Sequence, residues 1–247
     1  MCTVIYYPSE KKKIFVSLRD ENPARAKAKT PSLIGDNTNQ LLIPVDPMGG
    51  GSWAGINNNG TVIILLNGGF EKHQPGLSYS KSRGLIVREL LGESLPVLAW
   101  LLMNLKTVEP FTLIVYSEGH LFQLVWDGQS KHKKILNPSI PHIFSSSTLY
   151  DLPSKKIRHE RFFNWIKEER AVNAESFKAF FNRYQDPLNG FLINRDNKIK
   201  TLSFSFIEYR TYDGAQYSYH DYADNRSYKS AIQFSYHKEE ITSNTVC

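Results

Sequence analysis

Cys2 stands directly behind Met1. An initiator methionine that precedes a small residue is generally removed, and cysteine is small enough. The product then carries an α-amine and a thiol on one residue. The amine, with a reference pKa of about 8, can take the thiol proton. The thiolate is the nucleophile, and a cation beside it lowers its pKa. A lone cysteine at the start of a strand is more often a small buried hydrophobe, so the assignment needs partners. Arg19 and Asp20 supply two. Arg19 could hold the thiolate or a substrate carboxylate, and Asp20 could hydrogen-bond the α-amine and orient it. Taken alone, they read as charged loop residues whose surface ion pairs are worth little. In Gly50-Gly51-Ser52-Trp53-Ala54-Gly55, glycines flank a tryptophan and allow close backbone approach. Asn67 ends a very apolar stretch, where its side-chain amide could donate to an oxyanion.

The elements that must position these residues follow from pattern. Residues 2–7 and 13–18 are β-branched and aromatic on either side of a Pro-Ser-Glu-Lys turn, a hairpin that returns Arg19 and Asp20 to the chain start. Residues 19–40 read as loop, 41–45 as a short strand and 48–51 as a turn. Strands at 53–56 and 61–66 join through Asn57-Asn58-Asn59-Gly60, whose Asn-Gly step favours a primed turn. A loop covers 68–81. Apolar spacing predicts a helix over 82–91, and a second from a Ser94 cap through Leu105 with Pro96 in its first turn. Residues 111–116 and 121–126 form a hairpin turning at 117–120, followed by a strand at 133–136. One or two helices occupy 158–184. Strands at 191–194 and 200–209 turn at 195–198, and 215–222 alternates as a strand with one wet face. Strands, helices, strands, helices and strands in that order predict an α+β domain with mostly antiparallel sheets. The domain spans 1–238, with a loose tail at 239–247.

Composition narrows the function. Net charge is +6, but apart from Lys11-Lys12-Lys13 and residues 131–134 the basic residues are scattered. No clustered basic face points to nucleic acid. The opening residues are strand-like rather than a secretory signal, and the most apolar later stretch, Leu95–Leu105, is too short to span a membrane. Two cysteines at opposite ends make no disulfide framework, so a reducing, cytoplasmic setting is the simplest expectation. No metal site is expected.

The ordered set resembles the NRDE family, also called the Transport and Golgi organisation family. The resemblance runs over residues 1–90. It rests on the Met-Cys start, Leu18-Arg19-Asp20-Glu21-Asn22-Pro23-Ala24-Arg25, the Gly50–Gly55 motif, Asn67, and Ser82-Arg83-Gly84 opening a helix. The family in turn is similar to the cysteine N-terminal-nucleophile (Ntn) hydrolases, which cleave linear amide bonds. The resemblance implies an Ntn-hydrolase-like αββα sandwich of two stacked, mostly antiparallel sheets with helices outside. It implies Cys2 as nucleophile and base, Arg19 beside the thiolate, Asp20 on the α-amine and Asn67 as oxyanion donor. Trp53, Arg83, Ser146 and Lys200 are the implied substrate-binding positions. The chain departs from the family at Leu18, where the signature has Asn. It departs again at Ser146, where Asn is usual, and at Lys200-Thr201, where Arg precedes Thr or Ser. The function so implied is hydrolysis of small-molecule amide or acyl-thioester bonds with no required cofactor. The alternative is a non-catalytic carrier of haem or acyl lipid, or a secretory-pathway organisation protein, given the family's links to haem trafficking and lipid metabolism. Cys2, His73, His120 and His142 are the candidate haem ligands. A protein with no site at all is the third reading. Oligomeric state stays open.

Overall fold

The computed structural model describes residues 3–74 and 79–235. Its first strand pair is the hairpin of β1 (Thr3–Pro8) and β2 (Lys13–Glu21). Among the described residues two sheets form. The second sheet runs in chain order through β3 (Lys29–Gly35), β4 (Gln40–Val45), β5 (Ala54–Asn57), β6 (Val62–Asn67), β7 (Phe111–Ser117), β8 (His120–Trp126) and β9 (Lys131–Leu136). The first sheet has the order β10 (His142–Ser145), β1, β2, β12 (Ile199–Arg210), β13 (Gly214–Asp221) and β14 (Arg226–Ile232), with β11 (Asn194–Arg195) paired to β12. The named strand pairs are antiparallel. Helices α1 (Arg83–Leu91) and α2 (Pro96–Leu102) lie on the second sheet's side, and α3 (Leu152–Glu168) and α4 (Ala174–Arg183) on the first sheet's.

Strand alternation sorts the first sheet's residues between two cores. Val4, Tyr6, Phe15, Ile207, Tyr209 and Tyr217 turn inward against the second sheet. Ile5, Ile14, Val16, Leu18, Phe204 and Phe206 turn outward under Phe162, Trp165, Phe177, Phe180 and Phe181 of α3 and α4. The second sheet is covered by the first sheet on one face and by α1 on the other. Its central strands are therefore apolar on both faces, as in VIILLN of β6 and FTLIVYS of β7. The result is a helix–sheet–sheet–helix sandwich, as the resemblance implied.

Several local expectations need correction. Residues 19–40 are not all loop: β2 runs to Glu21, and β3 pairs with β4. The strand was hidden because it lies at a sheet edge, is largely exposed and contains Pro31, which edges tolerate. The edge strands β10 and β14, short or polar, were missed for the same reason. The 57–60 turn is not primed. Only Gly60 has positive φ (+76°), and its N–H donates to the Asn57 carbonyl, giving a three-residue loop of the bulged kind. Ser94 does not cap α2, whose N-cap position is Leu95 with no side-chain bond, and the helix stops at Leu102. Ser82 does cap α1 by accepting from Gly84 N–H. The wet face of β13 is partial: Gln216 is exposed, but His220 is buried, its Nδ1 bonded to Ser227 of β14 at 2.9 Å. No helix among the described residues is long and apolar enough to cross a membrane. The proposed tail at 239–247 lies outside the described residues.

Candidate functional site

Met1 and Cys2 lie outside the described residues; the site is built from what surrounds Thr3, the first described residue. Thr3 is fully buried and sits opposite Leu18 of β2 and Ser145 of β10. Arg19 follows Leu18 on the inner face, in step with Phe15 and Ser17. Its guanidinium is buried 4.6 Å from the Trp53 ring centroid, and Nη2 donates to Asp46 Oδ2 at 3.3 Å. Asp46 also accepts from Arg25 Nε at 2.7 Å and from the Met48 N–H at 3.0 Å. Burial pushes the Asp46 carboxyl up. The bonds from Arg25 and Met48, with the charges of Arg25 and Arg19, outweigh this and hold it below the usual range.

Asp20 has the strand parity of Leu18 and so the outer face. It accepts from Thr201 Oγ1 at 2.6 Å and Tyr150 Oη at 3.4 Å. A break in register between Thr201 and Ser203 lies where β12 passes this carboxylate. The Tyr150 ring lies 4.1 Å from the guanidinium carbon of Arg158. Arg158, on α3, is fully buried. It donates to Ser145 Oγ at 3.1 Å, to the Asn189 carbonyl at 3.3 Å, and to the Gly190 carbonyl and Thr3 Oγ1. No carboxylate among the described residues forms an ion pair with it. Its fork therefore clamps the start of β1, the end of β10 and the loop before β11 with neutral acceptors.

Asn67 ends β6 and Ser146 follows β10. Ser146 Oγ donates to the Asn67 carbonyl at 2.8 Å and lies 2.7 Å from Thr148 Oγ1. That tie commits the Ser146 proton, whereas the Asn67 side-chain amide makes no hydrogen bond among the described residues. Both residues line a cavity of about 400 Å³ between β6, β10 and α3.

The glycine motif and Ser82-Arg83-Gly84 prove to be two halves of one contact. Ser52 N–H donates to the Gly84 carbonyl at 3.0 Å. A Cβ on Gly51 would fall on the Gly84 backbone and 2.6 Å from Leu85 N. This close approach seats Trp53 under Arg19. Trp53 is 3% exposed, and its Nε1 has no hydrogen-bond partner among the described residues. Arg83 pairs with Glu109 at 2.9 Å, and Glu109 also meets His73 Nε2 at 3.1 Å. Lys200 stands apart from Arg19. It pairs in register with Glu21 and Asn194 and lines a separate cavity of about 490 Å³ with Thr201 and Tyr222.

The family profile described as Transport and Golgi organisation 2 matches residues 1–219. The chain belongs to this family. A search of curated proteins found no match. Conjugated bile acid hydrolase from Clostridium perfringens is similar in fold. One of its variants superposes with TM-score 0.59 at 10% identity, over 93% of this chain and 92% of its own. A second variant gives 0.56 at 10% identity, over 94% and 92%. The Caenorhabditis elegans ortholog of N-acylethanolamine-hydrolysing acid amidase gives 0.54 at 11% identity, over 83% and 92%. At these identities the likeness establishes the Ntn-hydrolase fold alone.

In this member of the Transport and Golgi organisation 2 family, Arg19, Asp20, Asn67, Trp53 and Ser146 gather around the start of β1 or the adjoining cavity, while Arg83 and Lys200 have other partners. Thr201, Tyr150, Asp46 and Arg158 were missed by sequence reasoning. For Thr201 a signal exists, since it stands in the Lys200-Thr201 pair where the family pattern has Arg before Thr or Ser. Asp46 follows a predicted strand and precedes a glycine turn. Nothing local marked Tyr150 or Arg158. The histidines considered for haem are scattered. His120 is exposed with Nδ1 bonded to the Glu118 carbonyl, and His142 Nε2 is bonded to the Asn137 carbonyl. No group of three or more metal-binding side chains exists among the described residues.

Proposed function

We propose that this chain is an Ntn hydrolase that cleaves linear amide or acyl-thioester bonds with Cys2 once Met1 is removed. The observation that carries this reading is the pairing of β1. Thr3, the first described residue, lies opposite Leu18 and Ser145, so Arg19 and Ser146 are the next residues along the strands on either side of it. By alternation Arg19 shares the inner face with Val4 and Ser17. The next residue along β2, Asp20, is a buried carboxylate already oriented by Thr201 and Tyr150.

The chemistry then runs in balanced steps. The α-amine takes the thiol proton, and the thiolate attacks the substrate carbonyl carbon. The Asn67 amide donates to the oxyanion. The ammonium passes its proton to the leaving nitrogen or sulfur as that bond breaks, leaving an acyl-thioester. Water, deprotonated by the same amine, releases the acid and restores the thiol. Arg19 supplies the positive charge beside the sulfur. The two structural neighbours are named as hydrolases of conjugated bile acids and of N-acylethanolamines, which supports small-molecule amides as the substrate class. A free thiol suits the cytoplasm.

A carrier that holds acyl lipid or haem without turnover shares this fold and draws on no contact of its own. Haemin titration of wild type and Cys2→Ala separates the readings, since saturable binding dependent on Cys2 would favour the carrier. For the hydrolase, intact mass should show Met1 absent, and incubation with a panel of N-acyl amides and acyl-thioesters should yield acid product and an acyl adduct on Cys2. Protein that lacks Met1 yet gives neither adduct nor turnover would overturn it.

A further inference from the structure

The 400 Å³ cavity beside Asn67 and Ser146 has an uneven charge: Lys155 and Lys156 line it beside His159, and no Asp or Glu does. Its size falls in the range of small-ligand sites. Lys155 is half-buried, and burial lowers its pKa. It has no acidic partner among the described residues. Asp151 and Glu71 line the adjoining surface hollow, but Asp151 is spent on capping α3, accepting from Ser154 N–H at 2.9 Å. Arg158, one turn along the same helix, is buried against neutral acceptors and bonds Ser145, which also lines the cavity. Lys155 is thus partly desolvated without a counter-charge, a costly state that an anion entering the cavity would relieve. Phe144 adds an apolar wall.

We infer that this cavity is an anion-binding subsite, which holds the carboxylate or phosphate head of an acyl ligand with its scissile carbonyl toward Asn67 and Ser146. Only the position of the scissile bond rests on the hydrolase reading; the anion preference does not. The subsite would take an N-acyl amino acid or a phosphorylated N-acyl amine over an uncharged amide of the same length.

Calorimetric titration of the Cys2→Ala protein, which cannot consume its ligand, tests this with three probes: N-octanoylglycine, O-phosphoryl-N-octanoylethanolamine and N-octanoylethanolamine. At least one anionic probe should bind about tenfold tighter than the neutral one, and whichever binds tighter identifies the head group. The gain should vanish in Lys155→Gln/Lys156→Gln, since neither side chain belongs to either apolar core. Equal affinity for all three probes, no binding at all, or a preference that survives the double variant would overturn the inference. Turnover by wild type without anion preference would remove the subsite and leave the hydrolase reading. Anion preference without turnover would keep the subsite and remove the hydrolase.

Discussion

Replacing Thr201 by valine keeps the side-chain shape and deletes one hydroxyl that serves two partners. Thr201 Oγ1 donates to Asp20 Oδ1 at 2.6 Å and accepts from the Ile193 N–H at 2.9 Å. Both bonds are buried, since Thr201 and Asp20 are 4% and 3% exposed. A hydrogen bond to a charged group contributes about 1.5–3 kcal/mol, and a buried N–H left without an acceptor costs about 1–3 kcal/mol. These ranges sum to about 2.5–6 kcal/mol, and because one hydroxyl serves both bonds the lower part, roughly 3 kcal/mol, is expected. For a domain of this size that corresponds to a fall in Tm of about 6–12 °C. Urea unfolding followed by circular dichroism, with thermal melts beside it, measures both. Thr201→Ser retains the hydroxyl and drops one methyl, so it should lose about 1 kcal/mol. If the proposed function holds, kcat/KM should also fall further in the valine variant than in the serine variant, because Asp20 loses its orienting donor. A valine variant within 1 kcal/mol of wild type, or no more affected than the serine variant, would refute the claim that this hydroxyl holds the Asp20 carboxylate.

Gly51→Ala should destabilise the protein by roughly 1–3 kcal/mol, the usual cost of overpacking, because the new methyl meets Gly84 backbone rather than a flexible side chain. Thermal melts will show it, and an unchanged Tm would mean the two motifs separate readily. Arg158→Met should cost about 3 kcal/mol or more by releasing Thr3, Ser145, Asn189 and Gly190 together, and Arg158→Lys should not rescue it, since one ammonium cannot span the fork. Full rescue by lysine in urea unfolding would count against the clamp. Asp46 is held low in the fold, so its contribution is present above its unfolded pKa of about 4 and is lost as pH falls through its lower folded value. The acid loss of stability should accordingly be shallower in Asp46→Asn, and an identical acid limb in both proteins would deny Asp46 that role.

Much of the fold was legible because its signals are local. The period-two apolar runs around a Pro-Ser turn specify the β1–β2 hairpin from a few neighbouring residues. Ser82 caps α1 through a bond to Gly84, two residues away. Edge strands were illegible, since β3 and β14 carry polar, exposed residues and owe their state to a partner strand rather than to their own pattern.

The candidate site divides along the same line. Arg19 and Asp20 were legible because residue type and hairpin register suffice to return them beside the start of β1. The tertiary structure alone supplied Thr201, Tyr150 and Arg158, whose bonds reach across 181, 130 and 155 residues of chain. It also showed that Gly51 and Gly84, visible as separate motifs, are small because two backbones touch. Local pattern carries propensity and turn chemistry, but a buried charge acquires its partners only when layers stack. The sequence by itself therefore determined the α+β class and, through its resemblance, the sandwich, and packing decided which neutral and charged groups surround the candidate residues.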